Sequence, residues 1–222
     1  MTLVELCIGL VITSMVLGAL GAIWFAVAEA WTSSSASQNV AMTGSQAGLR
    51  LEATLRPARA VFQWSPGSPD GSGAAPVFAI IWRADGWKHD PPATPDPNNP
   101  VSDEVAQFAE LALIEHDPAT KRIYVYRAKH PAKMTEDQRT RASLVPARLD
   151  LTSPATPATF RTLDFVERTV LSEAVAGVRL DVPALRPGSR PIVEFILSIA
   201  RGQGRTAVYG ATALRCPSGE PS

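Results

Sequence analysis

The sequence predicts an α+β protein in which one long N-terminal helix, membrane-spanning and then amphipathic, packs on a β-rich antiparallel globular head. Three observations carry that prediction. Residues 6–28 form an apolar run without a charge. From Val40 onward apolar residues recur every three or four positions. Beyond residue 76, short alternating or continuous apolar runs lie between turn-forming segments. The 222 residues divide accordingly into a transmembrane helix over 1–30, an amphipathic continuation over 31–62 and a β-rich head over 63–222.

Composition excludes several classes. Apolar residues make up 45% of the chain and charged ones 19%, so a core is available and general disorder is ruled out. Lys+Arg and Asp+Glu stand at 21 each, which leaves no bulk positive field to draw the chain to nucleic acid or acidic lipid. Two cysteines, Cys7 and Cys216, cannot build a disulfide framework, and at opposite ends of the chain both read as unpaired. Glu5 and Glu29 are the only charges in the first thirty positions; the rest keeps 19 of the 21 acidic side chains against all 21 basic ones.

The uncharged run of about 23 residues is long enough to cross a hydrocarbon core of about 30 Å at 1.5 Å per residue. A cleavable signal peptide has a shorter apolar core and a basic leader, so the run reads as a retained anchor. Gly9, Thr13, Gly18, Gly21 and Ala22 put small residues where another helix can approach closely, although glycine is common in membrane helices in any case. Glu5 is the anomaly. A carboxylate entering an apolar helix costs several kcal/mol unless it is paired, protonated or at the interface. Either the helix dipole favours it at the N-terminus, or a positive partner such as an α-amine on a neighbouring chain meets it.

Met1-Thr2-Leu3-Val4-Glu5-Leu6, followed by Cys7-Ile8-Gly9-Leu10-Val11-Ile12, resembles the mature N-terminus of type IV pilins and type II secretion pseudopilins. The likeness covers about the first 28 residues. It implies that a prepilin peptidase cuts a basic leader just before Met1 and methylates the new amine of Met1. It also implies that Glu5 meets the amine of an adjacent subunit and helps set the axial register of a filament.

Past Trp31 the chain turns polar while the helical period continues through Val40, Gly44, Ala47, Leu51, Leu55, Ala58 and Phe62, a stripe suited to packing on a sheet. Pro57 should end or kink this helix. Residues 65–73 are a loop by composition, residues 77–82 a strand, and residues 90–102 a loop too proline-rich for regular structure. Residues 109–115 and 122–127 read as a hairpin across His116-Asp117-Pro118-Ala119-Thr120-Lys121. A short helix fits the polar residues 129–141, and residues 165–174 read as a helix with Val166, Val170 and Leu171 on its apolar side. In the last sixty residues Val178, Leu180 and Val182 alternate with polar neighbours, residues 191–199 are apolar enough for a buried strand, and residues 206–214 return after a glycine turn. The segments 175–180, 190–195 and 213–215 are similar to the C-terminal half of J-type minor pseudopilins and PilW-like minor pilins, which combine a long helix with a β-rich head.

No phosphate-binding glycine loop, nucleophile elbow, His-Glu-x-x-His or Cys-x-x-Cys motif occurs. His89, His116 and His130 lie in or beside loops without ligand spacing, so they read as exposed loop histidines, and no metal site or cofactor is expected. Asp96, Asn98, Asn99, Asp103 and Glu104 are rich in oxygen but lack EF-hand spacing, and read as a solvated loop. Trp64, Trp82 and Trp87 have no basic run between them and read as core tryptophans.

The expected function is structural, not enzymatic: a minor pseudopilin in the tip or filament of a type II secretion pseudopilus. The alternative is a minor type IV pilin for pilus assembly, adhesion or DNA uptake; a membrane-tethered enzyme is the remaining class. The resemblance implies as partners the I- and K-type minor subunits, the major subunit and the prepilin peptidase, with no nucleic acid. It places the chain in the bacterial inner membrane, single-pass, with its head in the periplasm.

Overall fold

A computed structural model describes residues 2–68, 77–83, 107–143, 156–182, 192–201 and 204–214. Met1, Trp87, His89, the oxygen-rich stretch Asp96 to Glu104, the proline-rich loop and Cys216 lie outside the described residues. Helix α1 runs unbroken over Leu3–Leu55, 53 residues or about 80 Å at 1.5 Å per residue. It is followed by β1 (Ala58–Trp64), β2 (Val77–Arg83), β3 (Leu111–Asp117), β4 (Arg122–Ala128), α2 (Glu136–Ser143), α3 (Thr156–Thr162), β5 (Val166–Ser172), β6 (Val175–Asp181), β7 (Ile192–Arg201) and β8 (Gly204–Ala213). All strand pairs are antiparallel. They form a five-stranded sheet in chain order β1 to β5 and a three-stranded sheet β6-β7-β8. This is the predicted long helix on a β-rich antiparallel head.

The lower half of α1 lies on the smaller sheet. Val40, Gly44, Ala47, Leu51 and Leu55, the stripe expected from the periodicity, are buried, together with Gly48. Gly44 sets the approach: a Cβ there would stand 2.8 Å from Cγ2 of Val208 and 3.3 Å from Cγ1 of Ile199, so the helix backbone sits directly on β7 and β8. The same core takes in Ala79, Ile81, Ala112, Ile114, Ile123 and Val125 from one face of the larger sheet, which closes it between helix and both sheets. The opposite face of the larger sheet presents Ile80, Leu111, Leu113, Tyr124 and Tyr126, covered by Phe160 of α3.

Two stretches differ from expectation. The helix does not continue to Phe62. It ends at Leu55, where the Arg56 N–H still donates to the Glu52 carbonyl at 2.7 Å and Pro57 has no N–H to carry the ladder on. Residues 58–64 then pair with β2, and Ala58 and Phe62 keep the helical spacing by coincidence; Phe62 stacks on Trp82 at 6.3 Å. Residues 165–174 are not helical either. Val166, Thr169 and Val170 are β-branched and suit the extended edge strand β5, which pairs with β4. Its half-exposed edge position gives it a polar composition that mimics a surface helix. Strand β7 is also less enclosed than its composition suggests: Val193, Phe195, Leu197 and Ile199 are buried, whereas Ile192 is exposed.

Candidate functional site: the free half of the long helix

Helix α1 divides into two halves by packing. From Leu3 to Asn39 every residue is exposed except the half-buried Ala36, and Trp24, Phe25 and Trp31 are among the most open side chains. Among the described residues this is the one helix long and apolar enough to cross a membrane by length and composition. So large an apolar surface needs lipid or other apolar helices around it. The hydroxyls on the free half return to the helix itself: Thr13 Oγ1 donates to the Gly9 carbonyl at 2.7 Å and Ser14 Oγ to the Val11 carbonyl at 2.8 Å. Those side chains would enter an apolar medium already bonded.

The start of the helix is capped from within. Thr2 Oγ1 accepts from the Glu5 N–H at 3.4 Å, and Glu5 Oε2 accepts from the Thr2 N–H at 2.8 Å, a reciprocal capping box. The carboxylate that stands out in the sequence thus has a hydrogen-bond partner in its own chain. A single amide N–H meets part of that carboxylate's acceptor capacity and brings no full positive charge to offset it.

The three glycines of the free half have open space where a Cβ would be. At about 100° per residue they do not share one face. Gly21 and Ala22 each lie within about 60° of Gly18, while Gly9 lies about 180° from Gly18 and about 40° from Glu5. The helix therefore offers two separate small-residue patches on opposite sides, and Glu5 belongs with Gly9.

In the head, His116 is not an exposed loop histidine. It is buried in β3, and its Nε2 lies 2.9 Å from the Val175 carbonyl, tying β3 to the start of β6. Burial holds its pKa below the usual histidine range, partly opposed by that hydrogen bond and by Asp117. His130 serves as a cap, its Nδ1 accepting from the Ala132 N–H at 3.2 Å at the turn Pro131–Lys133. Trp82 donates through Nε1 to the buried Glu110 at 3.2 Å, and Trp64 is partly exposed. Among the described residues no three His, Cys, Asp or Glu side chains come together as a metal-binding group.

Set against protein-family models, curated proteins and solved structures, the chain finds no match.

A buried carboxylate that belongs to no sequence motif lies on the other face of the larger sheet. Glu115 is buried, burial raises its pKa, and the Arg161 guanidinium 3.4 Å away opposes that rise, as does a hydrogen bond with Tyr126. Tyr126 is itself pushed up by burial and by Glu115. Arg168, stacked 4.8 Å from the centre of the Tyr124 ring, completes the cluster. The arrangement is an ion pair with its charge compensated by neighbours, and it anchors α3 to the sheet. Its signal in the sequence is a lone acid in an otherwise apolar strand, Leu111-Ala112-Leu113-Ile114-Glu115.

Proposed function

We propose that this chain is a minor pseudopilin of a type II secretion pseudopilus, a structural subunit without catalytic activity. The observation that carries the reading is the N-terminal segment Thr2-Leu3-Val4-Glu5-Leu6 at the head of an uncharged span, on a helix whose residues 3–35 are all exposed. In this reading residues 3–28 sit in the bacterial inner membrane and the head lies in the periplasm. On assembly the helices of neighbouring subunits cover the exposed apolar surface. The I- and K-type minor subunits and the major subunit are the partners, and a prepilin peptidase processes and methylates Met1. Glu5 supplies the negative charge that the amine of a neighbouring subunit meets, and Gly9 on the same side lets that neighbour approach.

The test is mass spectrometry of the N-terminal peptide from protein extracted from its native membrane. A peptide that begins at Met1 with one methyl group on its amine supports the reading. A formylated start or a retained upstream leader overturns it. A second arm uses Glu5→Ala, which should insert in the membrane normally and lower filament assembly; normal secretion or piliation with that variant counts against the proposal.

A further inference from the structure

A groove of about 740 Å³ lies where the lower half of α1 meets the β3–β4 turn, the β5–β6 corner and the end of β7. Arg50, Lys121, Arg122 and Arg201 line it against one carboxylate, Glu173, an excess of three positive charges on a chain whose net charge is zero. Glu173 is taken by Arg122 at 2.9 Å. Arg50 gives one N–H to the Leu171 carbonyl at 3.2 Å, which fixes its guanidinium on the wall and leaves its other donors for use. Among the described residues no ion pair engages Arg50, Lys121 or Arg201.

The backbone around this groove is unusual in a second way. Lys121 (φ 54°) and Ala174 (φ 61°) are the two non-glycine residues with positive φ among those described, and both line it. They are held together: the Val175 N–H donates to the Lys121 carbonyl at 2.9 Å, and the Ala200 N–H to the Ala174 carbonyl at 3.1 Å. A left-handed turn position ordinarily takes glycine, so at Lys121 the chain accepts a disfavoured conformation in a residue that brings an ammonium to the groove.

We infer that this groove binds an acidic peptide segment, a stretch of another polypeptide carrying two or three carboxylates. Its volume falls in the range of pockets that take drug-sized ligands and exceeds what one small anion fills. Val170, Ala174 and Ala200 provide apolar surface for the stems between the carboxylates. Lipid headgroups are out of reach: Thr43, the lining residue of α1 nearest the N-terminus, lies about 22 Å of helix beyond Ala28, against a headgroup layer of about 5–8 Å. That last step rests on the membrane placement of the proposed function; the charges and the fold of the groove do not.

The experiment uses the full chain in detergent micelles and fluorescence anisotropy with two labelled peptides, one of alternating Glu and Ala and the same peptide with Gln for Glu. The Glu peptide should bind about tenfold or more tightly than the Gln peptide at low salt, and lose that advantage as salt rises. Lys121→Gly should weaken binding about tenfold while leaving the thermal midpoint unchanged or higher, because glycine suits the left-handed turn. Arg201→Glu should weaken binding further. Equal affinity for both peptides, or full binding by both variants, would overturn the inference. Displacement of the peptide by inorganic phosphate or glycerophosphate at matched charge concentration would overturn it too, by assigning the groove to a small phosphorylated ligand. None of these readouts needs filament assembly, so failure here is distinct from failure of the N-terminal mass measurement.

Discussion

Phe195 on β7 lays its ring over Gly210, its cross-strand partner on β8, so closely that a Cβ at position 210 would overlap the ring atoms. The same ring reaches Gly48 of α1, where a Cβ would sit 3.9 Å from Cε2. One aromatic side chain thus fills the space that two glycines leave, one on the sheet and one on the helix. Gly210→Val should force the ring toward α1 and destabilise the chain by about 1–3 kcal/mol, the usual range for overpacking. A lowered midpoint in thermal unfolding of the detergent-solubilised chain checks this, and an unchanged midpoint would mean that the ring has room to move.

Leu51 and Leu49 sit two positions apart on α1 with opposite surroundings: the first is 1% exposed and the second 65%. Leu51→Ala should cost about 2–5 kcal/mol through lost burial and the cavity left behind. Leu49→Ala should stay within about 0.5 kcal/mol. Chemical denaturation of the two variants side by side measures the difference, and similar losses would contradict the assignment of the packed face.

Replacing Glu5 by Gln separates its two roles. Glutamine can complete the capping box with Thr2 as glutamate does, but it has no charge for a neighbour's amine. Under the proposed function Glu5→Gln should therefore assemble as poorly as Glu5→Ala. Wild-type assembly by Glu5→Gln would show that the side chain acts as a helix cap.

The buried titratable groups of the larger sheet act on stability in opposite directions. Burial lowers the folded-state pKa of His116, so below about pH 6.5 the unfolded chain takes up a proton that the folded chain refuses. Its effect is a loss of stability as pH falls from that point toward the depressed folded value. Glu115 is raised by burial, so between its unfolded and folded values the folded state holds the extra proton, and acidification through that window restores stability. His116→Gln keeps a donor for the Val175 carbonyl without the titration. The variant should lack the first loss, and a parallel pH profile of unfolding in the two proteins would exclude His116 as its source.

Much of the architecture is legible where one physical signal dominates. The uncharged run, the stripe from Val40 to Leu55 and the hairpin around residues 116–121 each follow from periodicity or turn chemistry alone. Legibility is lost where two signals overlap. Ala58 and Phe62 continue the helical spacing past a proline that has already ended the helix, and β5 wears the composition of a surface helix because it lies at a sheet edge. The Thr2-x-x-Glu5 pattern is itself a capping signature, yet the charge of Glu5 is the more conspicuous feature and hides its local bond. The turn beside His116 suggests exposure, whereas its burial depends on β6, about sixty residues away in sequence. The basic groove joins residues from positions 43 to 201, so no local window holds it.

The unbroken run of α1 from its exposed N-terminal half to its packed end fixes a compass bearing as well as a height. With no joint between them, the head faces whichever way the lower helix is turned. One residue inserted between Ala28 and Val40 would swing the head by about 100° and raise it 1.5 Å, whereas seven would return it to within about 20° of its original bearing, about 10 Å higher. Under the proposed function, a set of such insertions would reveal whether neighbouring subunits read the azimuth of this head or only its elevation.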